Sequence, residues 1–250
     1  MNGPSGAGLG VRMQNARFCT QFMQTDSQAL AGQTVVIADD LSGAGECASE
    51  FTPRAGSTCL QLVPGPALHE ATTRVWDLDT RDTAPVLHPE VAASIAASRR
   101  TYLKIDSLLR GNWPALVAAV AGASRRPALM CPALPRLGRG LRDGRIDLAP
   151  GQEGLQHYTG SALEGLRQAG LDAGHHRVDT RGETAIREGL RAALERHAVT
   201  LVDARTDAEL DALARVLESL PVSYTAIGSA GLAGALARQL GITTGLCTLG

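Results

Sequence analysis

Lysine and aromatic residues are scarce in this chain. Aromatic side chains make up 3% of its 250 residues, and Lys104 is the only lysine among 24 basic residues. A Walker A phosphate loop needs a lysine directly after a GxxxxG run, whereas Lys104 follows Tyr102 and Leu103. The sequence therefore contains no Walker A motif. Either a coding bias toward arginine explains the single lysine, or this position needs a compact, rotatable ammonium in place of a planar guanidinium.

A charge excess, cysteine pairs and long apolar runs are also absent. The formal net charge is -1, which argues against a nucleic-acid or membrane-surface partner, because both usually require a basic face. The five cysteines include no CxxC pair and the six histidines form no HExxH motif, so neither a metal site nor a disulfide framework is predicted. No apolar run reaches the roughly 18 residues of a membrane span, and the first thirty residues lack the apolar core of a signal peptide. We therefore expect a cytoplasmic protein with a small-molecule partner.

From Thr34 onward, short β-branched or apolar runs alternate with stretches rich in alanine and leucine. This alternation is typical of βα units and predicts an α/β fold, with a mainly parallel, doubly wound sheet flanked by helices. Residues 1–32 show neither pattern and are predicted to be a flexible leader to one domain over residues 33–250. The predicted strands are Thr34–Ala38, Thr58–Val63, Arg74–Leu78, Thr101–Ile105, Ala128–Cys131, Thr200–Val202 and Tyr224–Ile227, with a weaker strand near His176–Val178.

The helical stretches follow most of these strands. Asp207 is predicted to be a helix N-cap and Gly241 a C-cap. The segment Pro132–Tyr158 is predicted to be rich in loops and to separate two groups of βα units. The predicted helices are Gly45–Ala55, Glu90–Ser98, Pro114–Gly122, Ala162–Ala169, Glu183–Arg196, Ala208–Leu220 and Leu232–Leu240.

Polar runs follow four of the predicted strands. They are Asp39–Ala44, Asp79–Asp82, Asp106–Asn112 and Pro132–Arg139. Ligands of open parallel sheets bind beyond the carboxyl ends of the strands, and right-handed crossovers bring those ends to one edge. Acidic side chains can orient or deprotonate hydroxyls, while lysine and arginine can hold a carboxylate or phosphate. The mixture predicts a cleft for a polyhydroxy acid.

The run Lys104–Asn112 is the strongest of these candidates. It places Lys, Asp, Ser, Arg and Asn within nine residues, and a purely structural turn has no need of so many hydrogen-bonding groups. Two other candidates could have purely structural explanations. Asp39 and Asp40 could be a helix cap beside a solvated carboxylate, and Asp82 could belong to a surface ion pair of little energetic value.

The glycine-rich turn and the histidines have no assigned role at this point. The glycine-rich turn Gly228–Ala233 could present helix N-terminal amides to an anion, or could be tight packing of small residues. The histidines, including His175 and His176, are expected to be solvated surface side chains.

Five blocks of the sequence resemble the four-carbon acid sugar kinases, a group that includes D-threonate and D-erythronate kinases. The blocks are IADDLSGA (Ile37–Ala44), LDTR (Leu78–Arg81), KIDSLLRGN (Lys104–Asn112), CPALPRLGR (Cys131–Arg139) and GSAGLA (Gly228–Ala233). Together they cover about residues 34–240, in the order and spacing of the family's N-terminal, sugar-acid-binding domain. The resemblance implies ATP- and Mg²⁺-dependent phosphorylation of the terminal hydroxyl of a four-carbon aldonic acid, with the substrate held by this domain and the nucleotide by a C-terminal domain.

The resemblance and the polar runs together predict the site residues. Catalytic candidates are Asp39, Asp40 and Asp106, and any one of them could be the general base. No cofactor-binding residue is identified. The predicted substrate-binding residues are Arg81, Lys104, Ser107, Arg110, Asn112 and Arg139.

The sequence also departs from the family pattern. Leu103 and Leu108 stand where lysine and threonine are usual, Leu116 stands where an acidic residue is common, and the run after Arg139 is short. The family's nucleotide-binding domain has no counterpart in these residues. We therefore expect the substrate-binding half of a kinase, either truncated or completed by a separate nucleotide-binding chain, which binds a sugar acid and is inactive as an isolated chain.

Two alternatives compete with a kinase subunit. The first is a binding or regulatory module that kept the sugar-acid pocket without catalysis. The second is a haloacid-dehalogenase-like phosphatase, suggested by Asp77 and Asp79 two residues apart. That motif requires Thr or Val where this sequence has Arg81, which disfavours the phosphatase.

Overall fold

The computed structural model describes residues 34–53, 57–62, 71–178, 182–220 and 223–242. The predicted leader, residues 1–32, lies outside the described residues. The strands are β1 (Thr34–Ala38), β2 (Thr58–Gln61), β3 (Thr73–Asp77), β4 (Arg100–Lys104), β5 (Ala128–Cys131), β6 (Arg139–Arg142), β7 (Arg145–Leu148), β8 (Ala173–Arg177), β9 (Val199–Asp203) and β10 (Tyr224–Gly228). Eight of them form one parallel sheet in the order β2-β3-β1-β4-β10-β5-β9-β8, and β6 pairs with β7 in an antiparallel hairpin.

Helices cover both faces of the sheet. Alternate side chains of β1 show this arrangement, because Val36 and Val35 belong to two different hydrophobic clusters, each of which includes residues of several helices. Strands buried on both faces are expected to be apolar throughout, and every residue of β1 is buried. The predicted doubly wound α/β fold is therefore confirmed. The helices are α1 (Leu41–Glu50), α2 (Pro89–Ala97), α3 (Trp113–Ser124), α4 (Ala162–Gln168), α5 (Glu183–Arg196), α6 (Asp207–Ser219) and α7 (Ala230–Gln239).

Capping residues decide where several helices begin. Helix α1 begins at Leu41, before the predicted Gly45, because the Asp40 carboxylate accepts a hydrogen bond from the Gly43 amide at 2.9 Å. The predicted N-cap Asp207 is wrong: Thr206 caps α6 and forms a capping box with Glu209.

The C-cap of α7 lies within one residue of the C-cap predicted from the sequence. Gly241 directly follows the C-cap Leu240 with a φ of +67°, which is the left-handed conformation expected of a terminating glycine.

The segment Pro132–Tyr158 is more ordered than the sequence predicted. It contains a 3₁₀ turn at Pro135–Leu137 and the β6–β7 hairpin. Asp143 and Gly144 form the hairpin turn with φ angles of +52° and +70°, and an Asp-Gly pair between two strands is a common hairpin signal. The sheet also interleaves the two predicted groups of units, because β10 lies between β4 and β5.

Candidate functional site

Five strand ends lie side by side at the carboxyl edge of the sheet, in the order β3, β1, β4, β10 and β5. In this register Ala38 is paired with both Asp77 and Lys104, and Gly228 with both Lys104 and Cys131. The polar runs after β1, β3, β4 and β5 therefore start from neighbouring positions. Among the described residues, this edge brings together most of the side chains that the sequence analysis selected.

Arg81 joins the loops that follow β1 and β3. Its Nε and Nη2 donate to the two carboxylate oxygens of Asp39 at 2.9 and 3.0 Å, and Nη2 also lies 2.9 Å from Asp40 Oδ1. Burial raises the pKa of the Asp39 carboxyl, and Arg81 opposes this shift only in part. The Nη1 group of Arg81 has no hydrogen-bond partner in the described part of the chain, which leaves one edge of the guanidinium available to a ligand.

Asp106 and Arg110 form a second pair of this kind. Arg110 donates through Nε at 2.6 Å and Nη2 at 2.9 Å, and its backbone amide also donates to Asp106. Burial disfavours the charged form of Asp106, but these hydrogen bonds outweigh burial and lower its pKa. Asp39 therefore orients Arg81, and Asp106 orients Arg110. The pKa of Asp39 is raised and that of Asp106 is lowered, so Asp39 has the higher affinity for a proton.

Lys104 is the last residue of β4, and its side chain is about 7% exposed. Its ammonium has one ion-pair contact, with Glu46 Oε2 at 3.9 Å, and no hydrogen bond within the described residues. A distance of 3.9 Å is too long for a hydrogen bond. Burying a cation is unfavourable unless it is paired and hydrogen-bonded. The Lys104 ammonium thus has donors to spare at the edge where a ligand is expected.

The remaining predicted residues connect neighbouring loops. Arg139 Nη1 donates to the Ser107 hydroxyl at 2.9 Å, which attaches the β6–β7 hairpin to the loop after β4. The Asn112 side chain donates to the Thr83 carbonyl at 3.3 Å, so that its amide nitrogen joins the loops after β4 and β3. These contacts place Ser107, Arg139 and Asn112 beside the candidate cleft.

Sequence reasoning missed three residues at this edge. Glu46 of α1 contacts Lys104, and its Oε1 accepts from Arg136 Nη2 at 2.7 Å. The Thr80 hydroxyl is buried without a hydrogen-bond partner in the described chain. Arg136 and Thr80 lie inside sequence blocks that resemble the family, so those blocks contained a signal. Glu46 follows Gly43 by three residues and therefore shares its helix face.

The turn after β10 is tightly packed. The Ser229 hydroxyl donates to the Ala133 carbonyl at 2.8 Å and accepts from the Gly231 amide. A Cβ at Gly231 would lie 2.4 Å from the Ala133 oxygen. These contacts favour the packing interpretation of this turn over an anion site.

One histidine corrects the expectation of a solvated surface. His175 Nε2 lies 2.9 Å from Asp203 Oδ1, and its side chain is about 21% exposed. The same aspartate accepts hydrogen bonds from the Asp143 and Gly144 amides. His175 is therefore a structural partner of the β6–β7 hairpin turn.

The described ranges lack two further features. Those ranges contain no group of three or more His, Cys, Asp and Glu side chains arranged to hold a metal ion. None of the helices in them is long and apolar enough to cross a membrane.

Comparisons with known proteins agree with this architecture. Residues 34–236 match the model of the sugar-binding N-terminal domain family. The chain is 37% identical over 226 residues to a D-threonate kinase of Cupriavidus necator, covering 81% of this chain and 53% of the relative. It is 32% identical over 228 residues to a D-threonate kinase of Bordetella bronchiseptica, covering 81% and 54%. The chain therefore spans about half the length of the curated relatives it matches.

Solved structures show the same fold. A domain of unknown function from Bordetella bronchiseptica, a domain-swapped dimer with bound citrate, aligns with a TM-score of 0.65 and 27% identity, covering 83% of this chain and 57% of that chain. A Haemophilus influenzae protein aligns with a TM-score of 0.65 at 20% identity, covering 85% and 57%. With the family match over most of its length, this chain belongs to the four-carbon acid sugar kinase family, in which it corresponds to the sugar-binding N-terminal domain.

Proposed function

We propose that this chain binds a four-carbon sugar acid such as D-threonate at the carboxyl edge of its sheet, as the substrate-binding part of an ATP-dependent kinase. The observation that carries the proposal is the buried Lys104 ammonium, which has one long ion-pair contact and no hydrogen bond in the described chain. A ligand carboxylate would complete its coordination with short, charge-assisted hydrogen bonds. The D-threonate kinase relatives support this choice of ligand class.

The arginines can share the ligand with Lys104. Arg81 and Arg110 each use Nε and Nη2 on an aspartate, and each keeps Nη1 for the carboxylate or a hydroxyl of the acid. The citrate held by the related Bordetella structure is also a hydroxy acid, which is consistent with such a cationic cleft.

Asp39 is the proposed proton acceptor for the reacting hydroxyl. Burial raises its pKa, whereas the hydrogen bonds from Arg110 lower the pKa of Asp106 below that of an ordinary carboxyl. Asp40 is less buried than Asp39, and its Oδ1 caps helix α1 by accepting a hydrogen bond from the Gly43 amide. A base with a higher pKa removes a proton more effectively in phosphoryl transfer.

The family resemblance implies ATP and Mg²⁺. The residues described here do not fit a metal site, because no group of three or more candidate ligands converges in them. We therefore assign no residue of this chain to Mg²⁺. We place the nucleotide on the family's second domain, present either in the same polypeptide or in a separate chain.

A binding experiment tests the proposal directly. Calorimetry of the purified chain with D-threonate, D-erythronate and the neutral polyol threitol should show binding of an acid and much weaker binding of threitol.

A chemical-labelling experiment tests the role of Lys104. Because Lys104 is the only lysine, acylation with an amine-reactive ester followed by mass spectrometry reports on its ammonium alone once the N-terminal amine is accounted for. The bound acid should protect Lys104 from acylation. No binding and no protection by any four-carbon acid would contradict the proposal.

A coupled assay separates the kinase from the non-catalytic binding module. The chain is mixed with Mg²⁺, ATP, the bound acid and the C-terminal half of a D-threonate kinase relative, and ADP is followed. Formation of ADP that depends on the acid supports the kinase. Binding of the acid without ADP formation would favour the binding module.

A further inference from the structure

We propose that Gly43 is a positioning residue that keeps open the space occupied by the Lys104 ammonium, an inference that rests on the proposed function. Gly43 is buried in the first turn of α1. A Cβ added to it would lie 2.7 Å from Lys104 Nζ, 2.7 Å from Asp40 Oδ1 and 3.1 Å from Lys104 Cγ. These separations are shorter than van der Waals contact, so a side chain at position 43 and the present position of the ammonium exclude each other.

The backbone gives no reason for glycine at this position. Gly43 lies within a helix and does not have a positive φ. Alanine is favoured over glycine inside a helix by about 1 kcal/mol. The glycine is therefore explained by the space that it leaves free.

Gly45 shows that the explanation is specific to position 43. It belongs to the same helix and is exposed, and a Cβ added there would meet no atom within 4 Å. The two positions share the helix and its intrinsic preference for alanine. They differ in their surroundings, because Lys104 and the Asp40 carboxylate lie beside position 43 and nothing lies beside position 45. Gly45 is therefore a matched control for the helix itself.

The ammonium is the group that yields most easily to a side chain at position 43. It is the end of a flexible side chain, and Glu46 contacts it at only 3.9 Å. We expect Gly43→Ala to move Lys104 Nζ while the fold is kept. The ligand carboxylate would then meet a displaced cation, and a charge-assisted hydrogen bond loses strength when its geometry changes.

The displacement can be observed without any ligand. With lysine labelled with ¹³C at Cε, the chain gives one side-chain signal, because Lys104 is the only lysine. The signal should shift in Gly43→Ala and keep its wild-type position in Gly45→Ala. An unchanged signal in a folded Gly43→Ala variant would overturn the inference whether or not the chain binds sugar acids.

Binding measurements extend the test to function. D-threonate affinity should fall roughly tenfold in Gly43→Ala, the size of a lost charge-assisted hydrogen bond, and stay within about twofold of wild type in Gly45→Ala. Selectivity for the acid over threitol should fall in parallel, because the effect acts on the carboxylate. Wild-type affinity and selectivity in Gly43→Ala would overturn the inference. Absence of acid binding by the wild-type chain would instead refute the proposed function, and the labelled lysine would still decide the role of Gly43.

A double variant keeps the test valid if Gly43→Ala is poorly folded. Lys104→Met removes the ammonium that the new Cβ would meet and is one atom shorter. Lys104→Met should raise thermal stability more in the Gly43→Ala background than in the wild-type background, because only there does it also relieve the contact with the new Cβ. An equal effect of Lys104→Met in both backgrounds would show that the new Cβ does not act through Lys104, which would overturn the inference.

Discussion

At the scale of single residues, the candidate site contains cations that differ in how fully they are paired. Arg81 and Arg110 each hold one aspartate through two nitrogens. Lys104 is more deeply buried than either, yet its nearest anionic partner is 3.9 Å away. In the proposed function, a ligand carboxylate would therefore gain most at Lys104, where the least protein–protein interaction would be lost.

Lys104→Arg should weaken binding of the sugar acid although the charge is kept. A forked guanidinium is larger than an ammonium and directs its donors differently, and the space beside Gly43 is closed to larger groups. We expect a loss of about 1–3 kcal/mol of binding free energy, measured by calorimetry. Arg99→Lys, at an exposed position, serves as the control for basic-residue exchange. Unchanged affinity in Lys104→Arg would return the single lysine to the coding-bias explanation.

Asp106 should make stability depend on pH. Because its pKa is lower in the folded chain than in the unfolded chain, the unfolded state binds more protons between the two pKa values. The stabilisation is therefore fully present above the ordinary aspartate pKa of about 3.9 and is lost as the pH falls through the folded pKa. Asp106→Asn should lower the free energy of unfolding at pH 7 and have a smaller effect at a pH below the folded pKa of Asp106.

Denaturant unfolding measured from pH 7 down to a pH below the folded pKa of Asp106 tests this effect. The matched control is Asp82→Asn, because Asp82 is exposed. This exposed substitution should change the free energy of unfolding at pH 7 by no more than about 0.5 kcal/mol. If Asp106→Asn lowered the free energy of unfolding equally at pH 7 and below the folded pKa of Asp106, the predicted link between its protonation and stability would be contradicted.

At the scale of elements, the loop after β4 is shaped to approach the loop after β3. Gly111 has a φ of +78°, and a Cβ there would lie 2.2 Å from the Arg81 carbonyl oxygen. The same oxygen accepts a hydrogen bond from the Asn112 amide at 2.8 Å. Leu109 also has a positive φ, of +53°. At a residue other than glycine, such as Leu109, a positive φ costs free energy, and such residues concentrate at functional sites.

Gly111→Ala should separate these two loops. The variant combines a disfavoured φ with a contact that backbone atoms cannot relieve cheaply, so we expect a loss of roughly 1–3 kcal/mol of stability together with weaker acid binding. Gly122→Ala is the control, because Gly122 is exposed in helix α3 and a Cβ there would meet nothing within 4 Å. Thermal unfolding and calorimetry measure both effects. Wild-type stability in Gly111→Ala would contradict the close approach of the two loops.

Helix α6 allows a direct comparison of two capping residues. Thr206 Oγ1 accepts from the Glu209 amide at 3.2 Å, and the Glu209 carboxylate accepts from the Thr206 amide at 2.9 Å. Thr206→Ala should lower the free energy of unfolding by about 1 kcal/mol. Asp207→Ala should cost less, because Asp207 contributes only its favourable charge near the helix N-terminus. A larger loss for Asp207→Ala would restore the N-cap predicted from the sequence.

At the scale of the whole molecule, the candidate cleft lies over the middle of the sheet. Strands β1, β4 and β10 are all interior in the strand order, and β2 and β8 form the edges. Both hydrophobic clusters contain residues of β1 and β4. A ligand at this position therefore joins loops that are anchored in both layers of the core.

Saturating sugar acid should stabilise the whole domain. At a free ligand concentration of 100 times Kd, binding adds about 2.7 kcal/mol to the free energy of unfolding. This corresponds to a rise in Tm of roughly 5–10 °C for a chain of this size. In hydrogen exchange, amides that exchange by local opening should gain the most protection in the loops after β1, β3 and β4 and the least in the edge strand β8. Protection centred on β8 and β9 would place the ligand elsewhere.

Local patterns predicted the elements well. Strands Thr34–Ala38 and Ala128–Cys131 and helix Glu183–Arg196 have the predicted bounds, because each is a continuous apolar or amphipathic run. Boundaries failed where a cap decided them, as with Asp40 and Thr206. The β6–β7 hairpin was missed although Asp143 and Gly144 carried its turn signal, because its short strands have little apolar alternation.

By itself, the sequence determined the α/β class, the family and the polar runs at the strand ends, since these depend on local pattern and motif order. Tertiary structure decided which of those polar groups meet. Arg81 reaches Asp39 across 42 residues of sequence, and Arg136 reaches Glu46 across 90. These contacts depend on the strand order, in which β3 and β4 flank β1 and β10 enters between β4 and β5. The space beside Gly43 likewise exists only because β4 places Lys104 against α1, so no local pattern could have shown it.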